Sequence, residues 1–575
     1  MRYGAKLKRR GIADNSPDLL QRLLSHRRVD LAAAETDAYA LTGLLPPDLL
    51  ALPHAADLVV QHLREHRILV IGDFDADGAT SSALLVAGLR SMGGHHVDFL
   101  VPDRFQFGYG LTPEIVEEAQ RSSPDLIITV DNGIASLEGA ARAKELSIQL
   151  VVTDHHLAGE TLPDADAIVN PNQPGCPFAS KSMAGVGVAF YLLAAVRAVL
   201  RGRGEKNLPS LARFLDLVAL GTVADVVPLD ANNRIMVQQG LLRIRAGLGR
   251  PGIVALAEVA GAEIDQLTTR DLSFGMAPRL NAAGRIEDMS IGIACLLAED
   301  LAQAREVAAK LDTLNKERRQ IEREMREDAN LQLADTTSEA MGVCMSDPSW
   351  HQGVVGIIAS RIKDRLHRPV IAFAPGSATE LKGSARSIQG MHIRDALASI
   401  DVRHPGMIEQ FGGHAMAAGL TLKNEHFDAF AEAFDDEAHR WLTEEDLTDD
   451  LLSDGEAADL LHIGQVRRVL TSAPWGQAFP EPLFDDVFEI IDQRIVGGAH
   501  LRLRLRTDRG RVFNAIAFGH TDLLSGLRHR MAYRPEINRY RGLESVQLII
   551  EALDLPLDLD DAYVVNMITP AHTAC

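Results

Sequence analysis

Four short apolar runs in the first third of the chain each lead into an acidic residue. Ile68–Ile71 runs into Gly72-Asp73-Phe74-Asp75-Ala76-Asp77-Gly78, and Val97–Val101 into Pro102-Asp103-Arg104-Phe105. Leu126–Val130 runs into Asp131-Asn132-Gly133, and Leu150–Thr153 into Asp154-His155-His156. A fifth run, Ala167–Val169, follows, and helical patterns such as Ala79–Met92 and Pro113–Arg121 lie between them. Buried runs alternating with helices predict a parallel, doubly wound α/β sheet. In such sheets ligands bind outside the carboxyl ends of the strands, where these acids lie.

One acid after a strand reads equally well as a helix N-cap. Acids at four successive strand ends, one joined by two histidines, point instead to a shared site. Asp225, in the otherwise apolar Thr222–Pro228, adds a carboxylate that by itself could be a hydrogen-bonded core acid. Converging carboxylates repel one another unless cations hold them, so a metal site is the simplest resolution. Carboxylate and imidazole without thiolate suit Mn²⁺, with Mg²⁺ possible, and disfavour structural zinc. Two ions sharing a bridging carboxylate are the usual design for phosphoester hydrolysis.

Competing motifs fail on position. Asp73-x-Asp75-x-Asp77-Gly78 matches the start of an EF-hand loop, but it follows a strand and carries Leu84 where the loop requires Glu. No G-x-x-x-x-G-K-[ST] occurs, which disfavours a P-loop ATPase or helicase. Gly185-Val186-Gly187 is too short for a dinucleotide fingerprint.

Residues from about 180 to 300 read as mostly helical, and Ala302–Leu333 as a long charged connecting helix. A second, smaller α/β unit follows, with strands expected at Gly342–Met345 and Val370–Phe373 and a helix near Val354–Leu366. Beyond residue 484 the pattern predicts strands at Val487–Ile491, His500–Arg506, Val512–Phe518 and Val546–Glu551. Leu501–Arg506 alternates Leu and Arg, which puts leucines on one face and arginines on the other. A small β-barrel with a cationic face, an OB-fold, is the natural reading.

Net charge, taken alone, opposes a nucleic-acid role, since the chain carries −21. Its distribution removes the objection. Glu425–Asp459 holds fourteen acids against Arg440, and Glu551–Asp561 five acids against no base. The first thirty residues hold eight Lys/Arg, and Arg494–Arg511 six arginines. Any such run can also be a solvated face. The four widely spaced cysteines indicate neither disulfide framework nor zinc site. No signal peptide is evident and no apolar stretch reads as long enough to span a bilayer, so a reduced, cytoplasmic setting without membrane contact is expected.

Two further stretches have phosphate-binding chemistry. Lys382-Gly383-Ser384-Ala385-Arg386-Ser387 is small and basic, and Phe411–Gly419 is Gly-rich with His414. The latter reads equally as a tight helix-entry turn. Pro278–Arg285 sets Arg279, Asn281 and Arg285 in a loop-like stretch, where surface salt bridging is the bland reading.

Taken together, Asp73–Thr80, Val130–Ile134, Thr153–His156 and Gly412–Gly419 resemble the DHH phosphoesterase superfamily with its accessory DHHA1 domain. Phe107–Leu111, Ala184–Phe190, Gly221–Leu229, Pro278–Arg285, Trp350–Gly356 and Trp475–Phe484 narrow the resemblance to its bacterial single-strand-specific 5′→3′ exonuclease branch. The resemblance implies a DHH domain at 51–300, a connecting helix at 301–336 and a DHHA1 domain at 337–445. An N-terminal segment (1–50) precedes them, and an acidic tract with an OB-fold (446–575) follows. It implies that Asp75, Asp77, Asp131, His155 and Asp225 ligate two Mn²⁺ ions, with Asp131 and Asp225 bridging. His156, Asp131 and Asp75 form the implied catalytic set, while Asp73 and Asp154 orient the ligands. Arg279, Asn281, Ser384, Arg386 and His414 would bind the substrate's 5′ end and phosphate, and Arg502, Arg504 and Arg506 its backbone. DNA would thread between the DHH and DHHA1 domains, with Phe105, Phe107 and Tyr109 as stacking or core aromatics.

The implied activity is two-metal hydrolysis of single-stranded DNA to 5′-mononucleotides in recombinational and mismatch repair. The implied partners are single-strand-binding protein and a RecQ-type helicase, and the chain would be a monomer. Two rivals stay open. One is a small-substrate DHH phosphoesterase, for which the connector and basic barrel would be superfluous. The other is a catalytically dead DNA-binding scaffold, against which the complete ligand set speaks.

Overall fold

The computed structural model describes residues 6–10, 18–29, 40–102, 110–335, 340–447, 450–540 and 542–553. Asp103, Phe105, Phe107 and Tyr109 therefore lie outside the described residues. The chain packs as two units. One comprises residues 27–316 with 468–481, the other residues 1–26, 317–467 and 482–575. The division falls inside the 35-residue helix Leu301–Asp335.

The first unit is built on the expected sheet. Its five strands are all parallel, in the order Val97–Leu100, Ile68–Gly72, Leu126–Val130, Gln149–Thr153, Ala167–Val169. The three central strands are mostly apolar and nearly all buried, as strands covered on both faces must be. Their register is level: Gly72 lies opposite Val130, and Val130 opposite Thr153. Asp73, Asp131 and Asp154 thus leave the sheet side by side. The first strand's successor lies on one side of it and Leu126–Val130 on the other, so the strand order reverses there. That switch point is where an open α/β sheet leaves room for a ligand.

Helix Ala76–Ser91 starts directly after the first strand and packs on helices Gly185–Gly202 and Leu215–Ala224. A Cβ at Gly88 would lie 2.4 Å from Leu193, so this contact depends on glycine. Helix Gly185–Gly202 corrects one expectation. Over its 18 residues its mean hydropathy is 1.5, long and apolar enough by composition to cross a bilayer. Here 61% of it is buried within the protein, as a core helix. Residues 277–286 also differ from expectation: they form a helix, not a loop. Pro278 fits in its first turn, where no N–H partner is lost.

The second unit contains a five-stranded mixed sheet in the order Ile408–Gly413, Ala417–Lys423, Glu380–Arg386, Val370–Pro375, Val343–Ser346. The Gly-rich stretch is the hairpin between its first two strands, not a helix-entry turn. The unit also contains a closed five-stranded barrel, formed by Phe484–Val496, His500–Arg506, Val512–Phe518, Leu543–Leu553 and Arg528–Tyr540. Arg528–Tyr540 is absent from the strands expected by pattern, because Pro535 and its many charged residues disguise the alternation.

Opposite charge runs account for two further departures. Lys6–Arg9 forms a parallel pair with Asp450–Ser453, joining the basic N-terminus to the acidic tract. Lys8 pairs with Asp450 at 2.9 Å. Arg9 reaches the fully buried Asp485 at 2.7 Å, and Arg530 contacts that carboxylate at 2.6 Å. The N-terminal strand is therefore part of the barrel unit. Within the acidic tract, Phe427–Trp441 is an amphipathic helix that buries Phe430 and Phe434. Arg468–Glu481 packs with the first unit, where Trp475 stacks on Phe479 and the Gln477 carbonyl accepts the Leu229 N–H.

Candidate metal centre

The site is built at the carboxyl ends of the level strands. Asp75 caps helix Ala76–Ser91, its Oδ1 accepting the N–H groups of Asp77 (2.9 Å) and Gly78 (3.0 Å). The cap turns the chain into the helix, leaving Asp73 and Asp75 within reach of Asp131 and Asp77 within reach of His155 and Asp225. Asp77 is buried, and its carboxylate accepts two N–H groups at the start of helix Gly185–Gly202, from Gly185 (2.5 Å) and Val186 (2.9 Å). Gly185-Val186-Gly187 is therefore a helix N-terminus that holds a carboxylate, as the helix dipole favours.

Asp131 follows its strand in the left-handed region, at φ 62°, a conformation Asp tolerates better than most residues. Asn132 fixes the turn, its Nδ2 donating to the carbonyls of Ile71 (3.2 Å) and Val130 (2.9 Å). Asp154 locks the histidine pair. Its Oδ1 accepts the N–H groups of His155 (2.7 Å) and His156 (3.1 Å) and lies 2.7 Å from His156 Nδ1. Its Oδ2 accepts the Ile134 N–H at 2.9 Å, tying the histidines to the Asp131 turn. Asn170 and Asn172 donate to the carbonyls of His156 (2.9 Å) and His155 (2.6 Å).

The outcome is a compact cluster of three overlapping groups: Asp73, Asp75 and Asp131; Asp77, His155 and Asp225; and Asp131, His155 and His156. Within each, one donor atom per residue lies within 4.8 Å of the others. His155 Nε2 is central, 3.0 Å from Asp131 Oδ1 and 3.5 Å from Asp225 Oδ2. All five expected ligands are in the cluster, and Asp73, expected only to orient them, is there too.

The electrostatics favour bound cations. Burial and the charges of Asp225 and Asp75 push Asp77 up to about 7, despite its two backbone donors. Burial and the neighbouring Asp75 raise Asp225 to about 7, and Asp131 is raised well above its ordinary value by burial, then by Asp77 and Asp75. Burial and the charge of His156 lower His155, leaving a neutral imidazole. Burial opposes the charge on His156, but Asp154 prevails and raises it to about 9. His155 Nε2 and Asp225 Oδ2 are shut off from solvent with no hydrogen bond. Buried polar atoms in that state are costly, and a cation between them would satisfy both. The oxygen-rich donor set fits Mn²⁺ or Mg²⁺.

Two glycines fit the cluster closely. A Cβ at Gly185 would stand 2.7 Å from Asp131 Cβ and 2.8 Å from its Oδ1. A Cβ at Gly284 would stand 1.8 Å from the Phe74 carbonyl oxygen. Overpacking of this kind costs about 1–3 kcal/mol. Gly185→Ala is expected to displace Asp131 and weaken Mn²⁺ binding roughly 10–100-fold, the usual cost of disturbing a ligand's support. Calorimetric Mn²⁺ titration checks this, with circular dichroism confirming the fold.

The remaining expected residues divide. Asn281 accepts the Ala76 N–H at 2.8 Å, so it supports the Asp75 cap. Arg279 is engaged with Asp312 (2.8 Å) and the carbonyls of Gly275 and Val259, which makes it a part-buried helix anchor. In the second unit, Ser384 and Arg386 lie on one strand, opposite Gly419 and Ala417, and Arg386 Nη1 donates to Ser384 Oγ at 3.1 Å. His414 is exposed in the adjoining hairpin. Burial lowers the Arg386 pKa, and no acid pairs with it among the described residues. Arg502 and Arg504 are exposed on the barrel, whereas Arg506 is paired with Glu489 at 2.7 Å. Sequence reading overlooked Asn132, Asn170 and Asn172. The Asp131-Asn132-Gly133 triplet and the Asn170-Pro171-Asn172 run, again at strand ends, were the available signals.

The DHH family N-terminal domain matches residues 67–222, the DHHA1 domain residues 339–440 and the RecJ OB domain residues 457–552. The chain is 51% identical to the single-stranded-DNA-specific exonuclease RecJ of Dickeya dadantii, covering 94% of this chain and 97% of that one. It is 48% identical to RecJ of Escherichia coli, covering 96% and 99%. Its fold matches the crystal structure of RecJ from Thermus thermophilus in complex with Mn²⁺, with TM-score 0.77 and 30% identity over 96% of this chain and 80% of that one. A complex of RecJ from the same organism with Mg²⁺ matches at TM-score 0.72 and 29% identity, over 96% of this chain and 79% of that one. With all three modules in order and near-complete coverage of its relatives, this chain belongs to the RecJ family.

Proposed function

We propose that this chain is a metal-dependent exonuclease that degrades single-stranded DNA from the 5′ end and releases 5′-mononucleotides. The observation that carries the reading is the carboxylate–imidazole cluster at the sheet's switch point, in a chain that matches RecJ relatives along nearly its whole length. Asp75, Asp77, Asp131, His155 and Asp225 would hold two ions. When bound, the ions activate water and neutralise the leaving oxygen.

The protein's own groups do the positioning. Asp154, 2.7 Å from His156 Nδ1, fixes the orientation of that ring, which stands beside the scissile phosphate. Asp77, anchored by two N–H groups, keeps its place as the charge in the site changes. Ser384, Arg386 and His414 take the 5′ phosphate, for which a half-buried arginine with no acidic partner among the described residues is well suited. Arg502 and Arg504 hold the strand backbone. The enzyme acts as a cytoplasmic monomer in recombinational and mismatch repair, where single-strand-binding protein and a RecQ-type helicase present its substrate.

Incubation with a long 5′-labelled single strand, its duplex and a dinucleotide tests the reading. Degradation of the single strand alone is expected. Cleavage of the dinucleotide without degradation of the long strand would replace it with a small-substrate phosphoesterase.

A further inference from the structure

The outward face of the barrel carries an aromatic residue that the roles above leave unused. His500–Arg506 and Val512–Phe518 pair antiparallel, with His500 opposite Phe518, Arg502 opposite Ile516 and Arg504 opposite Asn514. Directly opposed residues share a face of the sheet. Leu501, Leu503, Leu505, Phe513, Ala515 and Ala517 are buried inside the barrel, so the residues between them face outward. Arg494, opposite Arg502 on the next strand, extends the row.

Charge singles out part of this face. Arg506 is neutralised by Glu489, with Nε–Oε2 at 3.0 Å and Nη2–Oε1 at 2.7 Å. Arg509 pairs with Asp459, and Arg511 donates to the carbonyls of Ala458 (3.0 Å) and Asp459 (2.6 Å). Arg494, Arg502 and Arg504 form no salt bridge among the described residues, although Asp492 stands opposite Arg504 on the neighbouring strand. With Asp492 and Asn514 they line a groove of about 550 Å³.

Phe518 stands at the end of this row away from Arg506 and is 51% exposed. It is held in place there. His500 meets its ring edge-on, centroids 5.1 Å apart at 77°, and His500 Nδ1 accepts the Gly519 N–H at 3.1 Å. Strand rise puts Phe518 and His500 about 7 Å along the sheet from the level of Arg502. One step of an unstacked nucleotide chain covers such a distance. An exposed aromatic beside unpaired arginines is the composition of a site that stacks bases while arginines hold the backbone.

We infer that Phe518, braced by His500, is a base-stacking platform for single-stranded DNA at the end of the Arg494–Arg502–Arg504 row. The inference rests on the reading of the chain as a single-strand nuclease and adds to it a contact with bases. Stacking on one ring is indifferent to base identity, so the platform would add affinity without sequence preference.

The test is anisotropy of the full chain in EDTA, which prevents cleavage, with labelled oligothymidylate and an abasic strand of equal length. Phe518→Ala is expected to weaken oligothymidylate binding about tenfold and leave the abasic strand unaffected. Phe518→Leu, which keeps most of the volume but no ring face, should behave like the Ala variant, and Phe518→Trp should restore binding. Arg502→Ala should weaken both strands and flatten the salt dependence. Unchanged oligothymidylate affinity in Phe518→Ala would overturn the inference and leave this face to a protein partner. Equal loss on both strands would also overturn it. A wild-type chain that neither binds nor degrades single strands would overturn the functional reading itself.

Discussion

Asp131→Asn is expected to lower hydrolysis by roughly a thousandfold or more, while binding of single-stranded DNA persists. Asp131 belongs to two of the three ligand groups, so its loss disturbs both proposed ion positions at once. Asn is nearly isosteric and tolerates the φ of 62°, which separates chemistry from folding. The substitution also removes a buried carboxylate crowded by Asp77, Asp75 and Asp225, so the metal-free variant should melt at a higher temperature than the metal-free parent. Steady-state hydrolysis, anisotropy and thermal melting check the three parts. Hydrolysis at the parental rate would refute the assignment of Asp131.

The second large effect links metal, pH and stability. Asp77 and Asp225 titrate near 7 in the folded metal-free protein and near 4 when unfolded. A carboxyl whose folded pKa is raised adds stability that is fully present below its unfolded pKa and lost as pH rises through its folded value. Metal-free protein should therefore lose melting temperature steadily between about pH 4 and about pH 8. Mn²⁺ requires the ionised carboxylates, so its binding should release protons and tighten as pH rises through about 7. Saturating Mn²⁺ should raise the melting temperature far more at pH 8 than at pH 6. Scanning calorimetry with and without Mn²⁺ reads both trends. A metal-free melting temperature that rises over that range would contradict the proposed origin of the shifts.

The catalytic sheet was legible because its signals are local. Each strand is one short, mostly apolar run, and each functional acid on the sheet stands within a few residues of a strand end. Leu126–Val130 and Ala167–Val169 have in the structure the limits expected from sequence. Features that depend on distant partners were not legible. Lys6–Arg9 is a strand only because Asp450–Ser453 lies beside it, and charge alone cannot reveal a pairing so distant in sequence. Helix Ala277–Ile286 has the composition of a loop because it contains Pro278, Asn281 and Gly284. Pro278 has a local place in the first turn, whereas Asn281 and Gly284 have tertiary reasons: support for the Asp75 turn and a close approach to Phe74.

Global charge was the least reliable guide. Much of the acid in Glu425–Asp459 decorates one amphipathic helix or pairs with basic groups such as Lys8 and Arg10. The basic N-terminus has the composition of a DNA-binding arm, yet it neutralises part of that acid. The cationic track is correspondingly shorter than six arginines suggest. Among the described residues, only Arg494, Arg502 and Arg504 of that set lack a salt bridge or carbonyl bond that ties them down.

The central claim is that this cluster degrades single-stranded DNA from its 5′ end. Its most direct test compares two single strands, one with a bulky block at the 5′ end and the other with the same block at the 3′ end, each incubated with Mn²⁺. Mononucleotides should appear from the 3′-blocked strand, while the 5′-blocked strand stays intact. Degradation of the 5′-blocked strand alone, or of neither, would contradict it.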